Sequence, residues 1–212
     1  MKKTFILVLF MLLICGCKNV NKMSIDEISS NSINNKKAHP NIIRVGYKYY
    51  KPLLMSIIHT DNYNEILRND DTNYYLYVDL VSYHKKVESN YEENDISYYS
   101  RAINTENGKG YIEINEIKDN QYIIEIMYNY AKIEVVVDSK DINKAVAYSL
   151  SILTSIKYND KIIENAMGKN VLSYHEEAVN IFKTKSTEKN TLKYVEDSQY
   201  DKDVLPDMDL VN

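Results

Sequence analysis

The sequence predicts an α+β fold: a twisted antiparallel sheet of five to seven strands with one or two helices packed on one face. Three observations carry this expectation. Residues 111–117, 122–128 and 132–137 are short runs of alternating apolar and polar residues, parted by turn residues. Side chains of a strand point alternately to its two faces, so this pattern is an antiparallel meander. From Ile142 to Ile156 the apolar residues recur at helical spacing instead. Residues 74–84 are dense in β-branched and aromatic side chains, which suit a pleated surface. The composition agrees: 212 residues of which 44% are hydrophobic can bury a core, which excludes wholesale disorder. Five Gly and three Pro exclude collagen-like and Pro-rich chains and speak against a Gly-rich phosphate loop.

Taken in order, Ile43, Val45 and Tyr47 alternate around Gly46 as an opening strand would, and the domain is expected to start near Ile42 and run to residue 183. Residues 53–68 fit either a strand followed by a loop or a short helix. Asn69 to Asn73 is a turn cluster. In the strand expected over 74–84, Tyr74, Leu76, Val78 and Leu80 share one face. Tyr75, Tyr77, Asp79 and Tyr83 share the other, wetter face. A polar connection leads to a strand over Ile96 to Ile103, ending at the turn dipeptide Asn107-Gly108. The meander follows, with turns at Asp119-Asn120 and Asn129-Tyr130. The helix after it carries its stripe on Ile142, Ala145, Val146, Ser149, Leu150, Leu153 and Ile156, and Ser139 or Asp141 can cap its start. Residues 160–167 fit a short strand or a helical turn. Residues 173–182 have helical spacing, with Ser173 and Glu176 placed as a capping box. Two stretches read as unstructured: 17–41 as a flexible tether rich in Asn, Ser and Lys, and 184–212 as an acidic disordered tail.

The N-terminus carries the most specific signal. Lys2 and Lys3 precede an unbroken apolar run from Phe5 to Ile14, the length of a secretory core segment and too short to span a bilayer. Then comes Leu13-Ile14-Cys15-Gly16-Cys17. This resembles the lipobox of bacterial lipoproteins, with Ile14 three positions before Cys17 and the small Gly16 just before it. The resemblance implies cleavage between Gly16 and Cys17, removal of residues 1–16, and lipidation of the Cys17 thiol. Removing Lys2 and Lys3 from the 26 basic residues leaves 24 against 30 acidic ones, a net charge of −6. The processed chain would then keep no free thiol, which excludes thiol catalysis and disulfides. Two or three acyl chains on one residue make a stable anchor. With only Arg44, Arg68 and Arg101 as arginines amid abundant Lys, Asn, Ile and Tyr, the composition resembles that of AT-rich Gram-positive bacteria. The expected location is the outer face of the cell membrane.

Motifs for chemistry are absent. There is no GxGxxG, GxxxxGK[ST], HExxH or GxSxG. His39, His59, His84 and His175 are scattered, and His175-Glu176-Glu177 point apart on a helix. The Asn69 to Asn73 cluster lacks the spaced carboxylates of a calcium loop. No catalytic residue, metal or cofactor is therefore expected, and the mild acidity argues against nucleic acid. Twenty tyrosines stand out, and Tyr75, Tyr77 and Tyr83 form the candidate binding surface, because Tyr is rigid and amphipathic.

Gly110-Tyr111, the hairpin over Gln121–Val137 and the helix over Asp141–Ile156 resemble the PsbP-like and DcrB-like lipoprotein domains. There a closing hairpin passes into a helix laid across an antiparallel sheet, and no general catalytic residues are implied. The expectation for function is a non-enzymatic binding or assembly module at the cell envelope, whose partner is an envelope protein or a small ligand. An envelope hydrolase and a small-ligand-binding lipoprotein serving a transporter are the alternatives.

Overall fold

A computed structural model describes residues 20–35, 37–61 and 63–168. The lipobox with Gly16 and Cys17, the segment 173–182 and the tail from 184 lie outside the described residues. The fold is α+β. Its centre is a seven-stranded antiparallel sheet built from β3 (Ser56–Asp61), β4 (Asn64–Asn69), β5 (Thr72–Val78), β6 (Tyr99–Thr105), β7 (Gly108–Lys118), β8 (Gln121–Tyr128) and β9 (Ala131–Asp138). Two meanders, β3-β4-β5 and β6-β7-β8-β9, join where β5 pairs with β9, giving the order β3-β4-β5-β9-β8-β7-β6. The meander expected at 111–137 is β7-β8-β9. Its Asn129-Tyr130 turn has both residues at positive φ, which matches the twist of the strands it joins. Gly110 sits where β8 crosses closely: a Cβ there would lie 2.0 Å from the Met127 carbonyl oxygen.

One face of the sheet is sealed. Helix α3 (Ile142–Leu153) packs on β8 and β9 and buries Ala145, Val146, Ser149, Leu150 and Leu153, as its spacing predicts. Helix α1 (Ile25–Asn34) packs beside α3. A second sheet of β1 (Ile42–Arg44), β2 (Tyr47–Tyr49) and β10 (Lys157–Tyr158) covers the same face over β4. Under these elements lie Leu67, Tyr74, Leu76, Ile112, Ile114, Ile124, Ile126 and Ile133, all buried. Two short helices, α2 (Leu80–Lys85) and α4 (Asp160–Gly168), contact one another. No helix among the described residues is long and apolar enough to cross a membrane.

Several expectations are corrected. The segment 17–41, expected as a flexible tether, contains α1. Ser24 caps it: Ser24 Oγ accepts from the Glu27 amide (3.1 Å), and Glu27 Oε2 accepts from the Ser24 amide (3.0 Å). That capping box, with Ile28 and Ile33 buried against the core, offsets the entropy of ordering the segment. Residues 53–68 form neither a lone strand nor a helix but the β3-β4 hairpin. The strand expected over 74–84 ends at Val78. Asp79 then caps α2, its carboxylate accepting from the Ser82 amide at 2.7 Å. Neither Ser139 nor Asp141 caps α3 with its side chain, because a 3-10 turn, Ser139–Asp141, leads into that helix. Residues 160–167 are helical.

A candidate binding face

Among the described residues, no helix lies on the other face of the seven-stranded sheet. Register fixes what lies on it. One row across neighbouring strands reads Ser100, Glu113, Glu125, Glu134, Tyr75 and Ile66. The next reads Ala102, Tyr111, Met127, Lys132, Tyr77 and Asn64. Three carboxylates thus stand directly opposite one another on β7, β8 and β9, an arrangement that repels unless neighbours neutralise it.

Each carboxylate is answered differently. Glu113, 4% exposed, takes only neutral donors: Tyr91 OH at 2.8 Å, Asn115 Nδ2 at 2.9 Å and Ser97 Oγ at 3.2 Å. Tyr91 and Ser97 come from the loop between α2 and β6, which folds over this part of the face. Tyr91 stacks on Tyr111, with ring centroids 4.3 Å apart. Tyr111, fully buried beneath it, donates its hydroxyl to Glu125. Lys132 lies 2.6 Å from Glu134 and 3.7 Å from Glu125, with its ammonium toward the Tyr77 ring at 5.5 Å. Burial pushes the Glu125 carboxyl above its ordinary value, and Lys132 and Tyr111 offset only part of that. Burial works against the Lys132 ammonium, yet Glu125 and Glu134 together hold it above its ordinary value. Lys132 is therefore a fixed positive charge at neutral pH. A nucleophilic amine would need its value lowered.

The loop covers the β6-β7-β8 half. The β9-β5-β4 half stays open, with Tyr75 and Tyr77 half-buried on it and Val136 46% exposed. Of the three tyrosines singled out by sequence, Tyr75 and Tyr77 do share this face. Tyr83 does not, because the chain turns into α2 at Asp79. Its hydroxyl donates to Asp160 (2.8 Å) and its ring stacks on Tyr158 (3.9 Å), so it clasps α2 to β10 and the start of α4. His39, His59 and His84 are exposed and belong to no shared site. Among the described residues no group of three or more His, Cys, Asp or Glu side chains is placed to hold a metal ion. A depression of about 110 Å³, lined by Ser89, Asn90, Tyr91, Ala102, Asn104, Lys109 and Gly110, is well below the roughly 300 Å³ at which small-molecule sites begin.

Sequence reasoning missed Glu113, Glu125, Lys132 and Glu134. The signal was the polar positions within the three alternating runs: the two-residue turn at Asn129-Tyr130 sets Glu125 opposite Glu134. The chain matches no protein-family model, and no curated protein is similar to it in sequence.

Proposed function

We propose that the chain is a lipoprotein anchored through diacylglyceryl-Cys17 on the outer face of the cell membrane, where it acts as a non-enzymatic binding or assembly module. Its binding surface is the open β9-β5-β4 half of the helix-free sheet face. The lipobox Ile14-Cys15-Gly16-Cys17 supports the anchoring. The observation that carries the binding role is the asymmetry of the sheet. One face is closed by two helices and a second sheet, while the other leaves Tyr75, Tyr77 and Val136 open beside a fixed Lys132. Aromatic and aliphatic groups next to the Lys132–Glu134 ion pair suit a protein partner or a small amphipathic ligand.

Two measurements test the proposal. Cys17→Ser should release the domain from the membrane or leave an unprocessed precursor; fatty-acid labelling that persists in that variant would refute the anchor. A photo-crosslinker at Val136 should give an adduct of defined mass on intact cells. The same group at Ile162, 41% exposed on α4, should not. Equal crosslinking at both positions would refute the binding face.

A further inference from the structure

The turn between β2 and β3 places leucines where turns ordinarily carry Gly, Asn, Asp or Ser. Pro52 and Met55 are buried, while Leu53 and Leu54 between them are 86% and 74% exposed. The turn is held from several sides. The Met55 amide donates to the Pro52 carbonyl at 3.0 Å, and Lys51 Nζ donates to the Met55 carbonyl. Asn69 Nδ2 donates to the Leu54 carbonyl at 2.9 Å, tying the turn to the end of β4. The two side chains are thus projected into solvent by a braced backbone.

That end of the sheet is also where the described chain begins. Asn143, near the start of α3, donates from Nδ2 to the carbonyls of Val20 (3.3 Å) and Met23 (2.8 Å). The next residue, Lys144, pairs with Asp70 (3.0 Å), and Asp70 follows Asn69 in the β4-β5 turn. A line of contacts therefore runs from Val20 past α3 to Leu54 along one end of the sheet. In the sequence Cys17 is three residues before Val20, a reach of at most about 11 Å.

We infer that the Leu53-Leu54 turn is a second membrane contact, which inserts beside the lipid anchor and fixes the orientation of the domain on the bilayer. This rests on the anchoring at Cys17 proposed above. Exposed Lys22, Lys118 and Lys140 lie at this end together with exposed Asp70, Asp71 and Asp119, and Lys144 pairs with Asp70. The charges nearly balance, so the contact is apolar and should respond little to salt or to the anionic lipid content. The apolar side chains would sit at the boundary of headgroups and acyl chains.

The chain contains no Trp, so one introduced tryptophan reports its own surroundings. Leu53→Trp in the full lipidated protein, reconstituted in phosphatidylcholine–phosphatidylglycerol vesicles, is compared with Val45→Trp. Val45 is 64% exposed beside Gly46, near Leu80 at the opposite end of the sheet. Flotation first shows whether each protein is anchored; failure to float overturns the Cys17 reading and this inference with it. With flotation intact, acyl-chain-brominated lipid should cut Leu53→Trp emission about twofold or more and leave Val45→Trp unchanged, as burial roughly 5–10 Å deep requires. Equal emission of Leu53→Trp in brominated and ordinary vesicles would overturn the inference and leave the anchor standing. So would a crosslinked dimer through this turn, which would show that a second copy covers the leucines.

Discussion

Glu65 joins the two sheets, and its removal should cost a large part of the domain's stability. It lies on the sealed face of β4 with a fully buried side chain. Three donors from the small sheet converge on it: Arg44 Nη2 at 2.6 Å, Tyr49 OH at 2.9 Å and Tyr47 OH at 3.2 Å. Arg44 has little else, since its Nε is buried without a partner and its Nη1 reaches only the Ile43 carbonyl at 3.3 Å. Glu65→Ala leaves two buried hydroxyls and a largely buried guanidinium unanswered. Removing one partner of a buried pair costs about 3–5 kcal/mol, a large part of the roughly 5–15 kcal/mol that holds a domain together. Glu65→Gln keeps the shape and one acceptor, so it should cost about 1.5–3 kcal/mol. Urea denaturation followed by circular dichroism measures both. The double variant Arg44→Met, Glu65→Met should lose less than the sum of its single changes, because the stranded charge goes with its partner. A Glu65→Ala midpoint matching the parent, or strict additivity in the cycle, would refute the view that this carboxylate fastens β1-β2-β10 to the main sheet.

Leu153, 1% exposed on α3, should cost about 2–5 kcal/mol when changed to Ala; an unchanged denaturation midpoint would place α3 outside the core. Lys132→Met should destabilise at neutral pH, because Glu125 and Glu134 then face each other unneutralised. Burial raises the Glu125 carboxyl in the fold, so the folded state takes up that proton before the unfolded chain does, and stability gained this way grows as pH falls. The gap between Lys132→Met and the parent should therefore narrow from about pH 7 towards pH 5, and a constant gap would refute the coupling. Burial first, then neighbouring carboxylates, pushes Tyr83 and Tyr99 up to about 12, and burial holds Tyr47, Tyr49, Tyr74, Tyr111 and Tyr158 above the ordinary phenol value of 10.0. Unfolded phenols ionise first, so stability present below about pH 10 is lost as pH rises towards 12. The phenolate absorbance of these buried rings should appear only together with loss of the dichroism signal; ionisation of all twenty tyrosines with the fold intact would contradict the burial of these rings.

The elements that sequence revealed are those in which one periodicity runs unbroken. In 111–137 the strands alternate and each turn is two residues long, so the strands, their inward faces and the following helix were legible, but not the pairing across them. The failures have local causes. In 24–33 only Ile25, Ile28 and Ile33 are apolar, too sparse for a stripe. The deciding feature there was Ser24 with Glu27 three residues on, a cap rather than a pattern. In 74–84 β-propensity continues across the true boundary, so alternation puts Asp79 on the wet face of a strand, whereas it is the cap that ends the strand. That one misjudged residue carried Tyr83 onto the wrong surface. The carboxylate row was invisible for another reason. Glu113, Glu125 and Glu134 are ordinary outward positions in three separate strands, and only pairing brings them together. The covering loop was hidden for two reasons: Tyr91 sits in a polar stretch without period, and Ser97 falls in the run expected as a strand from Ile96, which begins only at Tyr99.

The loop changes what the helix-free face can do. A row of glutamates on a bare sheet would be hydrated and would cost little. Here Tyr91 lies across Tyr111, Glu113 is 4% exposed, and Met127 between Tyr111 and Lys132 is 1% exposed. The charges are therefore partly removed from water and must be satisfied from within the protein, by Tyr91, Ser97 and Asn115 on one side and Lys132 on the other. Such a network holds its side chains in one arrangement, since loosening any donor strands a carboxylate. Lys132 is where it meets the open half, fixed by Glu125 and Glu134 and pointed along the Tyr77 ring. A partner on β9-β5-β4 would then meet an ion pair and two tyrosines already in place and lose little side-chain entropy in ordering them. With the Leu53-Leu54 end at the bilayer, as inferred above, the strands stand away from the membrane. Their open face then looks sideways, parallel to the surface and not into it.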